Sequence, residues 1–149
     1  MAEFFLDTST VLKRYVLETG TPWLQALAAP AAGHSLIIVR ITLAETIAAI
    51  TRRERGGWIT PHDAASAVAD FQLDFAHQYF IVELSASLVT QAESLARKHG
   101  LRGYDAVQLA AALDTQARLP SLTLLSADTD LNAAALAEGL AVDDPNAHP

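Results

Sequence analysis

Five short apolar runs punctuate the chain: EFFLD (3–7), SLIIV (35–39), YFIVEL (79–84), LTLLS (122–126) and the weaker LAVDD (140–144). Most are continuously apolar rather than alternating, the pattern of strands covered on both faces, as in a parallel sheet. Between them the apolar spacing lengthens to that of helices. Thr60, Pro61 and Asp63 supply a cap, a first-position proline and a first-turn acid, and Ala64, Val68, Phe71 and Phe75 follow on one face. Leu88, Ala92 and Leu95 share a face of a helix over 86–99 that Gly100 terminates. Residues 104–117, rich in Ala and Leu, read as a deeply packed helix, and 131–139 as a short last one. AAPAAGH (28–34) reads as a helix end and loop, and DPNAHP (144–149) as a tail. Strands alternating with helices predict an α/β sandwich with a mostly parallel sheet, in a single domain over 1–149 without repeat or linker.

Composition narrows the class. With 149 residues, 51% of them hydrophobic, and a mean hydropathy of +0.22, the chain suits one domain with a sizeable core and not a disordered segment. Its apolar runs are too short to cross a bilayer, and the N-terminus lacks the charged and apolar regions of a signal peptide. The absence of cysteine excludes disulfides and thiolate metal sites and suits a cytoplasmic location. The five histidines form no HxH or HExxH spacing, so zinc is not expected.

The net charge of −7 is unevenly spread. Residues 1–60 hold six Lys or Arg against five Asp or Glu, whereas residues 61–149 hold four against twelve. A nucleic-acid role therefore requires a local basic patch.

Four acids fall at element junctions: Asp7 after the first strand, Glu45 after the second, Asp105 at the start of the apolar helix, and Asp128 after LTLLS. In an open parallel sheet, strand C-termini and the following helix N-termini share the edge where ligands bind. Singly, each acid has a plain structural role. Asp7 and Asp128 read as N-caps, Asp105 as a first-turn acid, and Thr42 with Glu45 as a capping box. Together they form a less ordinary set, because converging carboxylates raise one another's pKa unless a hard cation such as Mg²⁺ or Mn²⁺ joins them.

In order and spacing, FFLDTS, TLAETIAAI, LRGYDAVQLAAAL and LLSADTDLNAAALAEGL resemble the four acidic motifs of PIN-domain ribonucleases, most of all the VapC-type toxins of bacterial toxin–antitoxin pairs. The resemblance spans residues 3–146, and RGYDAVQLA is its most specific part. It implies a three-layer α/β/α sandwich around a mostly parallel sheet of about five strands. It also implies endonucleolytic cleavage of RNA dependent on Mg²⁺ or Mn²⁺. Carried over by motif, Asp7, Glu45, Asp105 and Asp128 are the acidic quartet, with Asp7 and Asp105 nearest the metal and the other two binding directly or through water. Ser9 and Ser126 match hydroxyl positions that orient a carboxylate or water. Asp130 lies outside the motif and reads either as a surface acid or as a peripheral metal ligand.

RNA needs cations, and TRRERGGW (51–58) supplies Arg52, Arg53 and Arg55, which equally complement a helix C-terminus ended by Gly56. Lys13, Arg14 and Arg102 are further candidates, and Trp58 reads as a base-stacking ring or as helix packing. The resemblance implies a homodimer and a small antitoxin lying in a groove. Val11, Leu12, Tyr15, Val16, Trp23 and Leu24 read as groove lining or as core. Two other functions remain open on these residues. One is a PIN scaffold that binds RNA or protein without cutting. The other is a phosphotransferase with Asp7 as nucleophile, although Ser9 stands where dehalogenase-type phosphatases need a second acid.

Overall fold

The computed structural model describes residues 1–149. Five strands, β1 (Glu3–Leu6), β2 (Ser35–Val39), β3 (Phe80–Val82), β4 (Thr123–Leu125) and β5 (Ala141–Asp143), form one sheet. Seven helices alternate with them: α1 (Thr8–Tyr15), α2 (Thr21–Ala28), α3 (Thr42–Arg55), α4 (Pro61–His77), α5 (Ala86–His99), α6 (Gly103–Arg118) and α7 (Thr129–Ala137). The sheet order is β3-β2-β1-β4-β5 and every pairing is parallel. No helix is long and apolar enough to cross a membrane.

Successive side chains point to opposite faces of the sheet. Phe5, Ile37, Val39 and Leu124 pack beneath α5, α6 and α7, while Leu6, Leu36, Ile38 and Leu125 pack beneath α1, α2 and α4. Both faces are covered, which explains why the strands read as unbroken apolar runs and gives the three-layer sandwich. A smaller cluster of Leu12, Val16, Ile50, Ala64 and Ala67 joins α1, α3 and α4. The four-residue spacing anticipated on α4 holds with a shift: Ala64 and Phe71 are buried, Ala67 joins them, and Val68 and Phe75 are half-buried. On α5 the expected Leu88, Ala92 and Leu95 are the buried face, and Gly100 closes the helix with φ 66°.

The strand order reverses beside β1, because the chain builds β2 and β3 on one side and then β4 and β5 on the other. Leu6 pairs with Leu125, so β1 and β4 end level with each other. Their C-terminal ends open the crevice where α/β sheets bind ligands.

Several expectations are corrected. The first strand ends at Leu6 rather than Asp7, which caps α1 as expected, and α7 begins at Thr129, two residues before the expected start. Thr42 is the first helical residue of α3 and does not cap it. Its hydroxyl turns inward to accept from Gln108 Nε2 (3.0 Å), and Glu45 bonds elsewhere, so no capping box forms. The supposed tail is packed: Pro145 is buried, and His148 stacks on Trp23 at 4.0 Å with the rings 5° from parallel. Gly20 allows this, because a Cβ there would stand 2.3 Å from the Pro145 carbonyl oxygen. Of the six groove candidates, Val11, Leu12, Val16 and Leu24 are buried core. Tyr15 donates to Asp74 (2.8 Å), and Trp23 is taken up by His148. Trp58, expected most simply as helix packing, is 81% exposed.

Candidate active site at the strand switch point

Asp7 sits where β1 passes into α1. Its carboxylate accepts from the Thr10 backbone N–H (2.9 Å), from Ser9 Oγ (2.7 and 2.9 Å to its two oxygens) and from Ser126 Oγ (2.7 Å). The cap role is thus real and only part of the arrangement. Both serines also accept: Ser9 Oγ from the Ala127 N–H (3.0 Å) and Ser126 Oγ from the Asp128 N–H (3.1 Å). These bonds tie the β1–α1 turn to the β4–α7 turn across the crevice. Asp7 is only 3% exposed, and burial raises its carboxyl to about 6 against the pull of these hydrogen bonds.

Glu45, in the first turn of α3, accepts from Thr8 Oγ1 (3.0 Å) and Gln108 Nε2 (3.1 Å). The Gln108 amide also reaches Thr8 and Thr42, joining α1, α3 and α6. Its carbonyl oxygen is buried without a partner. Neither Gln108 nor Thr8 stands among the site residues that the sequence singled out. The available signal was a glutamine at a core position, one turn after an acid, on a helix otherwise buried mostly through Ala and Leu.

Asp105 lies in the first turn of α6, half-buried, and Asp128 caps α7 by accepting from the Leu131 N–H (2.9 Å). The Arg102 guanidinium stands 3.6 Å from Asp105 and 3.9 Å from Asp128. The Asp105 carboxyl is raised, first by burial and then by the charge of Asp128, with Arg102 opposing and Glu45 and Asp130 adding smaller pushes. Asp130 itself is an exposed first-turn acid of α7.

All four acids therefore stand on one edge, linked by hydroxyls, one amide and one guanidinium. As the side chains lie, no three acids or histidines come close enough to hold a single ion. The donor chemistry nonetheless fits a hard divalent cation. Every candidate ligand is a carboxylate, and Asp7 and Asp105 are both held above their ordinary pKa. A larger cavity of 660 Å³ under Phe80–Glu83 contains none of the four acids and plays no part in this chemistry.

Of the candidate cations, Arg52, Arg55 and Arg102 are exposed, and Arg53 is bound to Glu18. Lys13 and Arg14 are structural, which corrects their reading as phosphate contacts. Lys13 is buried against Glu18 (3.1 Å), and Arg14 is bound to Asp74 (3.1 Å), Gln78 (2.6 Å) and the Tyr79 hydroxyl (3.0 Å).

A family model described as the PIN domain matches residues 4–136. Ribonuclease VapC45 and ribonuclease VapC49 of Mycobacterium tuberculosis are each 37% identical to this chain over 111 residues, 73% of this chain and 74% of theirs. Among solved structures, PAE2754 from Pyrobaculum aerophilum superposes with a TM-score of 0.67 at 18% identity, covering 98% of this chain and 91% of its own. VapC20 of Mycobacterium tuberculosis, a toxin cleaving the sarcin–ricin loop, gives 0.64 at 19%, covering 88% and 94%. VapBC2 from Rickettsia felis, bound to a fragment of its promoter DNA, gives 0.63 at 15%, covering 95% and 98%. The chain belongs to the PIN-domain family, of which the VapC ribonucleases are members.

Proposed function

We propose that this PIN-domain protein is a Mg²⁺- or Mn²⁺-dependent endoribonuclease, the toxin of a type II toxin–antitoxin pair. The observation that carries the reading is the buried Asp7, fixed by Ser9 and Ser126 at the crevice beside Asp105, Asp128 and Glu45. Asp7 and Asp105 would hold the ion, with Glu45 and Asp128 binding directly or through water. The bound ion would supply an activated water and neutralise charge gathering on the phosphodiester. The chain's own groups set the stage for in-line hydrolysis, in which water adds to phosphorus and the bond to the leaving ribose oxygen breaks. Ser9 and Ser126 orient Asp7, and Thr8 with Gln108 orients Glu45. Arg102 sets one positive charge at the mouth, suited to a neighbouring phosphate. Burial and hydrogen bonding of Asp7 argue against a free nucleophile there and so weigh against the phosphotransferase alternative.

The protein would act as a homodimer, with RNA as substrate and a small antitoxin as partner; the ribonuclease names of its relatives and a toxin–antitoxin complex among the similar structures support the substrate and the antitoxin. RNA cleavage with added Mg²⁺ or Mn²⁺, compared between wild type and Asp7→Asn and Asp105→Asn, tests the reading. Metal-dependent cleavage is expected in wild type alone, and its persistence in both variants would overturn the assignment. One observation favours a second reading, a silent scaffold that binds RNA or a partner: no three acids share a point. RNA binding without cleavage under either metal would select it.

A further inference from the structure

A groove leaves the acids between α1 and α3. Glu45, Ala49 and Arg52 recur at i, i+4 and i+7 and so share one face of α3. An open cleft of about 410 Å³ runs from Thr8 and Ser9 past Leu12 and Ala49 to Arg52 and Trp58. At 1.5 Å per residue, Arg52 lies about 10 Å beyond Glu45 along the helix axis.

The far end of the groove carries two unsatisfied groups. Arg52 is exposed and makes no ion pair, unlike Arg53 beside it, which is bound to Glu18. Trp58 exposes 81% of its surface. Its pose is built. The chain folds back over the end of α3 through bonds from the Gly56 N–H to the Arg52 carbonyl and from the Trp58 N–H to the Arg53 carbonyl, both 2.9 Å. The indole then lies over Gly56, where a Cβ would stand 2.9 Å from its Cδ1. A large aromatic face held open beside an unpaired guanidinium matches the two needs of a single-stranded nucleotide: a stacking platform for the base and a cation for the phosphate.

We propose that this groove is a nucleotide subsite. A base next to the cleaved phosphodiester stacks on Trp58, and its backbone phosphate pairs with Arg52. The proposal rests on the reading of the acids as an RNA-cutting site. The groove's charge favours RNA over a protein segment: its lining holds Arg52 and Arg53 and no acid, and apart from the Trp58 ring its apolar floor is just Leu12 and Ala49.

The experiment uses the Trp23→Phe protein, in which Trp58 is the only indole, with a chelator present to stop cleavage. A short mixed-sequence single-stranded RNA oligonucleotide is titrated in, and indole emission and RNA anisotropy are followed together. Quenching of Trp58 is expected, with much less from a duplex of the same sequence. Trp58→Ala should weaken binding about tenfold while Trp58→Phe keeps most of it. Arg52→Gln should lower the slope of log affinity against log salt by about 0.7. Thermal melts of the variants confirm that each is folded. Unquenched indole, or RNA affinity unchanged in Trp58→Ala, overturns the subsite. So does a Trp58→Ala protein that keeps RNA and loses the cognate antitoxin, which would make the groove a protein-docking site. Cleavage with Mg²⁺, assayed separately, judges the parent reading. Quenching without any cleavage leaves the subsite standing and removes the nuclease, whereas cleavage unaffected by Trp58→Ala removes the subsite alone.

Discussion

Asp7 and Asp105 face the same crevice and are held in opposite ways. Asp7 is buried and receives hydrogen bonds from two serine hydroxyls and a backbone N–H. Asp105 is half-buried, and its only cationic partner is a guanidinium at 3.6 Å. One side of the site is pinned by several hydrogen bonds, and the other, held by a single long ion contact, is the less restrained and so the more adjustable. The difference has a physical basis. The β1–α1 turn is clipped to the β4–α7 turn through Ser9 and Ser126, whereas α6 presents Asp105 from a helix start with no side-chain cap. Fixed carboxylates near developing charge need no reorganisation when reaction occurs.

The largest expected effect treats both sides alike. Asp7→Asn and Asp105→Asn should each reduce metal-dependent RNA cleavage about a thousandfold, since either would remove a charged ligand proposed for the ion. Single-turnover cleavage at saturating Mg²⁺ measures this. A loss confined to Asp7→Asn would show that the adjustable side is dispensable.

Stability should separate them. In the folded protein without divalent cation, the Asp7 carboxyl is raised from 3.8 to about 6, so the folded state binds its proton more tightly than the unfolded chain does. Its contribution is fully present below about pH 4 and is lost as pH rises through about 6, an effect of about 3 kcal/mol. Urea unfolding in chelator between pH 4 and 8 should show that decline in wild type and not in Asp7→Asn. Asp105→Asn should remove a shallower slope of the same sign, because that carboxyl is also raised but more exposed. Adding Mg²⁺ should stabilise wild type more at pH 7 than at pH 5, because proton and cation compete for the same carboxylate. Equal slopes in the two variants would break the comparison.

The fixed side can be loosened without touching an acid. Ser126→Ala removes one donor to Asp7 and one acceptor for the Asp128 N–H in a fully buried position. A loss of about 2 kcal/mol in stability is expected, with cleavage reduced about tenfold. Ser126→Thr, which keeps the hydroxyl, should recover more activity than stability, since its extra methyl must enter a packed site.

How much of this was legible in the sequence differs between the two sides as well. The parallel sheet and its helices followed from unbroken apolar runs, because burial on both faces leaves that mark in any sequence. Asp7 and Asp128 were visible as acids after strands, and their caps were found as expected. Thr42 misled, since a hydroxyl three residues before a glutamate has the spacing of a capping box whether it faces the helix end or, as here, Gln108. Pairing across more than sixty residues, as between Gln108 and Glu45, leaves no local pattern. The same holds for Lys13 and Arg14, which look like free cations until Glu18 and Asp74 are seen beside them. Trp58 was ambiguous because an exposed and a packed tryptophan have the same sequence context. Only the turn at Gly56 decides between them.

The smallest effect, and the sharpest test of adjustability, belongs to Arg102. Its side chain is 83% exposed, and both of its carboxylate contacts are longer than a charge-assisted hydrogen bond. Such a pair contributes little to folding, so Arg102→Gln should leave stability within about 0.5 kcal/mol of wild type. The guanidinium nonetheless sets a positive charge between Asp105 and Asp128, where a divalent cation is also drawn. Removing it should tighten Mg²⁺ about twofold at low salt, read from the rise in melting temperature with Mg²⁺. The gain should shrink at higher ionic strength as the charge is screened. The same change should weaken binding of single-stranded RNA, because a cation at the mouth attracts phosphate as it repels the ion. Opposite signs for metal and RNA would mark Arg102 as an adjustable counter-charge. A large loss of stability or of Mg²⁺ binding would instead make it part of the framework, as Ser9 and Ser126 are for Asp7.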